Sequence, residues 1–444
     1  MRGDGMNLRR ALRLDRPACV AIVGAGGKTS AMFRLARELP PPVIVTTTTH
    51  IGVWQTQEGD RWVQGLDAFA ESGAVEHGVT IVTGREIKNE RVNGLAADEL
   101  DHLHALAKEK GWSLLIEADG SKGLPLKAPG ETEPVIPAWA ETVVVVAGLT
   151  GLGKPCNNAY IHRPEIFSEL SGLPPNEPVG EEALVKVLLH PSGGLKGIPQ
   201  NTRRVVLLNQ ANDPSLMAAA SRMSEPLLGS YDVVMTGGLK NKIEEEILAA
   251  REPIAAVILA AGGSTRLGTP KSELLFHGKN FLENVIQCGF DAGLKPVVVV
   301  TNNAYSQSIN QNQYPNIILL NNPIRQSGQS TSIRLGIQSL PQNIGGAVFL
   351  LCDQPQIPAQ LVHNLVERHA RMHAPVIAPR VGDKCANPIL FDRCTFADLL
   401  ALEGDTGGRS LFSKYPIETV PWSDGNILLD VDTFEDFDRL RKLE

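Results

Sequence analysis

Two apolar strands that run directly into glycine-rich loops constrain the fold of this chain more than any other feature. The first reads CVAIVGAGGKTS (residues 19–30) and the second reads AAVILAAGGSTRLGTPK (residues 255–271). Each loop opens a series of short, β-branched strands separated by segments of helix length. That pattern is typical of a parallel sheet covered by helices on both faces. The sequence therefore predicts an α/β protein made of two doubly wound domains.

The two series meet near EEEILAAREP (residues 244–253), which we interpret as a charged helix ended by Pro253. A chain of 444 residues is long enough for two or three domains, each with its own core. We expect one domain at residues 1–250 and a second at 253–444.

The composition of the chain limits the kinds of molecule that it is expected to bind. The net charge of −7 argues against nucleic acid as the main partner. The six cysteines form no CxxC pair, which fits reduced thiols, and no apolar run approaches the ~18 residues of a membrane span. The start of the chain lacks the apolar stretch of a secretory signal. We expect a cytoplasmic protein that binds small molecules and neither nucleic acid nor membrane.

The first loop carries the Gly-Lys-Thr ending of a P-loop, in which backbone amides surround phosphates and lysine contacts the β and γ oxygens. Ile22 stands where the motif has its first glycine, so the loop is compressed. A helix after the loop would add its dipole. The residues expected to bind ATP or GTP are Gly24, Gly26, Gly27, Lys28, Thr29 and Ser30. The alternative is a plain strand–helix turn with an exposed lysine.

Two further strand ends would complete this nucleotide site. Thr48 follows one strand, and Glu117 and Asp119 follow another with the two-residue spacing that puts them on one face. Carboxylates beside a P-loop commonly steer Mg²⁺. The alternatives are a helix cap by Asp119 and a β-branched strand edge for the threonines.

The first half resembles a known family. Its residues 15–240 are similar to the selenium-dependent hydroxylase accessory proteins often called YqeC. The stretches that carry the resemblance are GAGGKTS, TTTTHIG, GREIKNERVNGL, IEADGSKGLPLKAPGETEPVIP and GKPCNNAYIHRPEIF. The resemblance implies a P-loop NTPase-like fold and a nucleotide-binding accessory role in maturing selenium-dependent molybdenum hydroxylases. A hydroxylase apoenzyme is then an expected partner.

The second loop has the residues that nucleotidyl transfer requires. The strand end Leu259, Ala260, Ala261 and Gly262 is small enough to lie against a base edge, and Gly263 and Ser264 would wrap a triphosphate. Arg266 suits the β and γ oxygens as a planar fork, and Lys271 suits the α-phosphate as a point charge. A glycine-rich turn with solvated charges is the alternative.

This loop resembles LAAGxSxRMGxxK, the signature of the MobA-like nucleotidyltransferases, with Leu267 in place of methionine. The resemblance implies a Rossmann-like nucleotidyltransferase domain with a mixed sheet. It also implies that Ser330 contacts the nucleotide, with Ser332 as a further candidate, or that these serines cap a helix. Asp353, at the end of an apolar strand, is the implied Mg²⁺ ligand.

The acceptor side follows from the same resemblance. ANPILF and GDTGGRSLF supply Asn387 and Arg409, and LLDVDTFEDF supplies Asp430 and Asp432. Asp432 is the second candidate Mg²⁺ ligand, and helix capping by Asp432 or Thr433 is the alternative. His369 and His373 have a metal-compatible spacing, but no glutamate or third ligand accompanies them, which favours a solvated helix face.

Within the family, LAAG accompanies enzymes that use CTP. Ala261 therefore makes the second half similar to the molybdenum cofactor cytidylyltransferases, which join CTP to molybdopterin and release pyrophosphate. Two alternatives remain open: a sugar- or polyol-phosphate cytidylyltransferase, and a nucleotide-gated carrier or scaffold for the cofactor.

Overall fold

The computed structural model describes residues 6–239, 247–262, 274–302, 314 and 316–443. It divides the chain into two compact units, Met1–Arg251 and Glu252–Glu444. Within the described ranges, no helix is both long and apolar enough to cross a membrane.

The first unit contains, among its described residues, one nine-stranded sheet and two smaller sheets of two and three strands. Its strands are β1 Cys19–Gly24, β2 Val43–Thr47, β3 His50–Gly52, β4 Arg61–Gln64, β5 Val79–Thr83, β6 Ile87–Lys88, β7 Arg91–Asn93, β8 Ser113–Glu117, β9 Leu126–Lys127, β10 Thr142–Gly148, β11 Ile161–His162, β12 Arg203–Asn209, β13 Val233–Gly237 and β14 Ile247–Arg251. Its helices are α1 Leu8–Ala11, α2 Lys28–Glu38, α3 Leu66–Ser72, α4 Ala97–Lys110, α5 Pro164–Ser171, α6 Glu181–Leu189 and α7 Pro214–Leu227.

The order of strands in the nine-stranded sheet is β14-β13-β12-β10-β1-β8-β2-β5-β4. All neighbours are parallel except β13 and β14. Side chains of β1 alternate between two cores, because Ala21 and Val23 join one apolar cluster and Val20 and Ile22 join the other. The sheet is therefore buried on both faces, as its near-continuous apolar strands predict.

The predicted charged helix at residues 244–253 is wrong where the structure describes it. Ile247–Arg251 forms β14, which pairs antiparallel with β13. Ile247, Ala249 and Ala250 are buried, and Leu248 is partly exposed. Pairing at the edge of the sheet and burial of these apolar side chains outweigh the helix propensity of the alanines.

The second unit has a mixed sheet. Its strands are β15 Ile254–Leu259, β16 Leu275–Phe276, β17 Lys279–Asn280, β18 Val297–Thr301, β19 Ile317–Asn321, β20 Gly346–Leu351, β21 Val376–Val381, β22 Lys384–Cys385, β23 Ile389–Asp392 and β24 Ile417–Pro421. Its helices are α8 Phe281–Asp291, α9 Gln329–Gln338, α10 Ala359–Met372, α11 Phe396–Leu400 and α12 Phe434–Arg441.

The strand order is β19-β18-β15-β20-β23-β21-β22, with β24 also paired to β21. Strands β19, β18, β15 and β20 are parallel, whereas β23 runs antiparallel to both of its neighbours. Apolar clusters cover both faces. Both units are thus mixed α/β structures with largely parallel sheets, which confirms the predicted fold class at that level.

The prediction of a solvated face for His369 and His373 is wrong. Both side chains are buried, at 1% and 6% exposure. The His369 Nε2 atom lies 2.7 Å from Asp392 Oδ2, and the His373 Nε2 atom lies 3.6 Å from Glu252 Oε2. Paired carboxylates make burial of these polar rings tolerable on the core-facing side of α10.

Candidate functional site

The first glycine loop lies at the centre of its sheet. Strand β1 runs between β10 and β8, and helix α2 begins at Lys28 immediately after the loop. Gly24 has φ +99°, and a Cβ there would lie 2.2 Å from the Val146 carbonyl oxygen. Only glycine permits this close approach of two backbones, which explains the crowding of glycines in the sequence.

Three amides of this loop donate to protein acceptors. Gly24 N donates to the carboxylate of Asp119 at 2.9 and 3.1 Å, Ala25 N to Val146 O at 2.8 Å, and Gly26 N to Leu124 O at 3.1 Å. In this arrangement Gly24 and Gly26 shape the loop and do not offer their amides to a phosphate. The first turn of α2, which begins with Lys28 and Thr29, is the part that presents helix N-terminal amides.

Lys28 is buried at 4% exposure, so the alternative of a turn with an exposed lysine is wrong. Its Nζ atom donates to Gly24 O at 2.9 Å and lies 3.2 Å from Asp119 Oδ1 and 3.6 Å from Glu117 Oε1. The buried ammonium is thus fixed at the start of a helix, and a loop carbonyl and two carboxylates offset the cost of burying it.

Glu117 and Thr29 form the hydroxyl–carboxylate pair of this site. The β1–β8 register places Glu117 beside Ile22, and Thr29 Oγ1 donates to Glu117 Oε2 at 3.2 Å. Burial raises the pKa of Glu117, and the Lys28 ammonium opposes that shift. A hydroxyl and a carboxylate at a helix N-terminus are ligands that suit Mg²⁺ beside a phosphate.

Asp119 organises the loop rather than capping a helix. Besides Gly24 N and Lys28, its carboxylate accepts from Lys127 Nζ at 2.7 Å. Lys127 also lies 3.0 Å from Glu133 Oε2, which in turn lies 2.9 Å from Arg163 Nη1. Charges of alternating sign therefore run from the loop to the start of α5. Sequence reasoning missed Lys127, Glu133 and Arg163 as members of this group, although all three lie in the quoted family stretches.

Thr48 and Ser30 complete the predicted set in this unit. The Thr48 hydroxyl donates to Val135 O at 3.1 Å, so in this structure it binds the backbone. Ser30 lies in the first turn of α2. Sequence reasoning missed Asn209, whose side chain donates to Gly26 O at 2.8 Å and accepts from Leu239 N at 2.9 Å.

In the second unit, a cavity of ≈ 640 Å³ opens at the carboxyl ends of β15 and β20. These strands are in register to their ends, with Leu259 opposite Leu351. Parallel α/β sheets bind ligands at this edge. The cavity is lined by Leu259, Ala261, Gly262, Arg325, Gln326, Ser327, Gly328, Gln329, Ser332, Leu351, Asp353 and Asp405.

Four residues predicted for this site, Leu259, Ala261, Gly262 and Asp353, line that one cavity. Ala260 is buried instead, in the apolar cluster below, with its amide bonded to Val300 O at 2.8 Å. Gly263, Ser264, Arg266 and Lys271 lie outside the described residues.

A second cavity of ≈ 480 Å³ holds the predicted acceptor residues Asn387 and Arg409. The Arg409 guanidinium donates to Asn387 Oδ1 at 3.3 Å. Four residues line both cavities: Leu259, Gln329, Leu351 and Asp405. The two cavities therefore adjoin across a shared wall.

Negative charge gathers beside this wall. Desolvation raises the pKa of Asp430, the charges of Asp353 and Asp432 raise it further, and Arg409 acts in the opposite direction. Gln354 Nε2 donates to Asp430 Oδ1 at 2.7 Å. Thr433 caps α12 by accepting from Asp436 N, so capping is the role of Thr433 rather than Asp432. The described residues contain no preformed group of three or more metal-ligating side chains.

Ser330 is placed differently from its predicted contact with nucleotide. It is fully buried in α9, and its hydroxyl donates to Gly404 O at 2.7 Å. Ser332, two positions further, lines the larger cavity. Sequence reasoning missed Arg325, Gln329 and Asp405 as cavity residues. Their proximity depends on contacts between α9 and residues 404–405, which no local motif specifies.

Two family models match the chain. The YqeC model, described as YqeC protein, matches residues 20–165, and the model described as MobA-like NTP transferase domain matches residues 256–420. YqeC of Escherichia coli (strain K12) is 32% identical over 215 residues, which cover 48% of this chain and 83% of that protein.

The second half has relatives of its own. The purine catabolism protein PucB of Bacillus subtilis (strain 168) is 27% identical over 201 residues, covering 43% of this chain and 96% of that protein. The crystal structure of Rv0371c from Mycobacterium tuberculosis H37Rv is 25% identical, with a TM-score of 0.39, over 43% of this chain and 98% of that one. The chain belongs to the YqeC family, and its second half is a MobA-like NTP transferase domain.

Proposed function

We propose that the second unit is a molybdenum cofactor cytidylyltransferase, which transfers CMP from CTP to molybdopterin and releases pyrophosphate. The observation that carries the proposal is the pair of adjoining cavities with a shared wall at the carboxyl ends of β15 and β20. A transferase needs two substrates held with their reacting atoms in contact. One cavity for each substrate, meeting at Leu259, Gln329, Leu351 and Asp405, supports that reaction type.

The larger cavity suits the nucleotide. Ala261 has a small side chain and Gly262 has none, which lets a base approach the backbone. Arg325 adds a positive charge near the start of α9. Ala261 is also the residue that distinguishes the CTP-using members in the resemblance. Arg266 and Lys271 are proposed to hold the triphosphate and the α-phosphate.

The carboxylates suit a divalent cation. Burial raises the pKa of Asp430, and the charges of Asp353 and Asp432 add to that rise; a bound cation relieves repulsion between such carboxylates. Mg²⁺ is usually held by one or two carboxylates together with substrate phosphates, so a preformed cluster is not required. We assign Asp353 and Asp432 as its ligands. When bound, Mg²⁺ offsets the charge that develops on the departing pyrophosphate.

The smaller cavity suits the acceptor. Arg409 offers a guanidinium for the phosphate of molybdopterin, with Asn387 fixing its position. In the reaction, an oxygen of that phosphate bonds to the α-phosphorus of CTP, and the bond from the α-phosphorus to the pyrophosphate oxygen breaks. The acceptor phosphate is ionised at neutral pH, so positioning and charge neutralisation account for most of the rate.

The first unit is proposed to bind ATP or GTP with Lys28, Thr29 and Glu117, in support of molybdenum hydroxylase maturation. Buried Lys28 at the start of α2 supports the nucleotide role. Membership of the first half in the YqeC family supports the accessory role.

The test is a matrix of substrates with the purified full chain and Mg²⁺. Each of the four nucleoside triphosphates is combined with molybdopterin or with sugar and polyol phosphates, and pyrophosphate release is measured. We expect pyrophosphate release from the combination of CTP and molybdopterin and from no other combination. Release with CTP and a sugar phosphate would replace the acceptor, and binding without any release would indicate a carrier.

A further inference from the structure

The start of helix α9 and the loop at residues 404–410, here named the acceptor loop, are joined by several contacts. Ser330 Oγ donates to Gly404 O at 2.7 Å, and Gln329 N donates to Asp405 Oδ1 at 3.3 Å. Gly328 has φ +107°, and a Cβ there would lie 2.2 Å from the carbonyl carbon and oxygen of Gly404. The two backbones therefore touch at a point that only glycine allows.

This junction lies between the two cavities. The start of α9 lines the larger cavity, and the acceptor loop carries Arg409 in the smaller one. Gln329 and Asp405, which are bonded to each other, belong to the shared wall. The position of Arg409 thus depends on how firmly its loop is held to α9.

The position of Ser330 suits it to hold the acceptor loop and not to contact a substrate. Successive helix positions are rotated by about 100°, so Ser330 and Ser332 face nearly opposite sides of α9. Ser332 faces the nucleotide cavity, whereas Ser330 is fully buried against the acceptor loop. The buried Ser330 hydroxyl restricts the opening of that loop, because without it the Gly404 carbonyl is left with the longer bond from the Ser330 amide, at 3.4 Å.

We propose that Ser330 is a positioning residue for the acceptor: its hydrogen bond to Gly404 holds the acceptor loop against α9 and so places Arg409 for an incoming phosphate. The proposal rests on the proposed acceptor role of Arg409. It predicts that loss of the Ser330 hydroxyl weakens acceptor binding and leaves nucleotide binding intact.

The chain offers a matched control on the same helix. Ser339, just past the other end of α9, donates its hydroxyl to Gly336 O at 2.8 Å, which is the same type of bond to a glycine carbonyl. Ser339 lines neither described cavity. Ser330→Ala and Ser339→Ala therefore each remove one hydroxyl bonded to a glycine carbonyl, and only the Ser330 bond reaches the acceptor loop.

Steady-state kinetics of the full chain gives the first readout. Ser330→Ala is expected to raise KM for molybdopterin ~10-fold, the loss that one buried hydrogen bond implies, while KM for CTP stays within about 2-fold of the wild type. Ser339→Ala is expected to change neither. If KM for CTP rises with KM for the acceptor, or if neither changes, the proposal is overturned.

Hydrogen exchange gives a second readout that needs no substrate. The Ser410 amide donates to Gly407 O at 3.1 Å within the acceptor loop, and Ser330→Ala is expected to accelerate exchange in this loop ~10-fold. Ser339→Ala should leave it unchanged. This measurement stays valid if the wild type transfers no CMP to molybdopterin, so failure of the proposed function and failure of the junction are distinguished.

Ser330→Cys separates the hydrogen bond from packing. Cysteine keeps the shape of the side chain with a somewhat larger terminal atom and is a weak donor, so its loop exchange is expected to lie between wild type and Ser330→Ala. This variant also serves if the alanine variant does not fold. A cysteine variant identical to wild type would show that volume alone holds the loop, and that result would overturn the assignment.

Discussion

Replacing Lys127 by methionine tests whether the buried charges beside the first loop stabilise its unit. The side chains of Lys127 and Asp119 are only 3% and 2% exposed, and their charged atoms lie 2.7 Å apart. Removing one partner of a buried pair costs about 3–5 kcal/mol, because the other charge stays buried without compensation. Asp119 keeps Lys28 at 3.2 Å and the amide of Gly24, so we expect the lower end, about 3 kcal/mol.

The assay is urea unfolding of the full chain followed by tryptophan fluorescence. Four tryptophans, Trp54, Trp62, Trp112 and Trp139, lie in the first unit and one, Trp422, lies in the second. With a slope of about 3 kcal/mol per molar urea, the midpoint of the first unit should fall by roughly 1 M. The second unit should unfold at its usual concentration.

The control is Lys186→Met, which breaks the exposed pair of Lys186 and Glu182 on α6. Exposed pairs of this kind contribute little, so its midpoint should match the wild type. If Lys127→Met unfolds at the same urea concentration as Lys186→Met, the reasoning about the buried charges is refuted.

Three further predictions concern pH and the two sites. Burial raises the pKa of Glu133, but Arg163 and Lys127 outweigh that effect and hold the pKa below the usual 4.5. The Glu133→Gln variant should therefore be less stable than the wild type at pH 7. This difference in stability should disappear as the pH falls below about 4.5. Asp353→Asn should lower kcat for pyrophosphate release at least ~100-fold without abolishing CTP binding, since it removes a carboxylate proposed to hold Mg²⁺. Lys28→Met should abolish binding of a fluorescent ATP or GTP analogue to the first unit and leave pyrophosphate release unchanged.

For each of these three predictions, a matched control or a specific result would contradict the reasoning. A stability difference for Glu133→Gln that does not shrink as the pH falls below about 4.5 would show that the charge of Glu133 is not its cause. Asp424→Asn, an exposed carboxylate that only caps a short turn, is the control for Asp353. Lys154→Met, an exposed lysine of the first unit, is the control for Lys28. Equal loss of analogue binding in both lysine variants would exclude the specific role of Lys28.

The sequence predicts the parallel-rich α/β character of both units because apolar strands buried on two faces leave a clear pattern. It also predicts which strand ends gather, since parallel strands end at one edge: Glu117 beside the first loop, and Asp353 beside Ala261 and Gly262. The inference about Glu117 depends on local pattern together with a general rule of sheet geometry, whereas the one about Asp353 depends on the family resemblance.

What the sequence could not predict depends on contacts between distant segments. The strand at Ile247–Arg251 forms because β13 offers an edge, and helix propensity alone gave the wrong element. The burial of His369 on helix α10 depends on Asp392, which lies on strand β23. Ser330 was assigned to nucleotide from its motif, but the direction of its side chain is set by its contact with Gly404, 74 residues away.

Labelled CTP reports directly whether CMP moves from CTP to molybdopterin. The full chain is incubated with Mg²⁺, molybdopterin and CTP labelled either at the α-phosphate or at the γ-phosphate, and the products are separated. We predict that the α label appears in a molybdopterin dinucleotide and the γ label in pyrophosphate. Release of the α label as free CMP, or equal transfer from GTP, would contradict it.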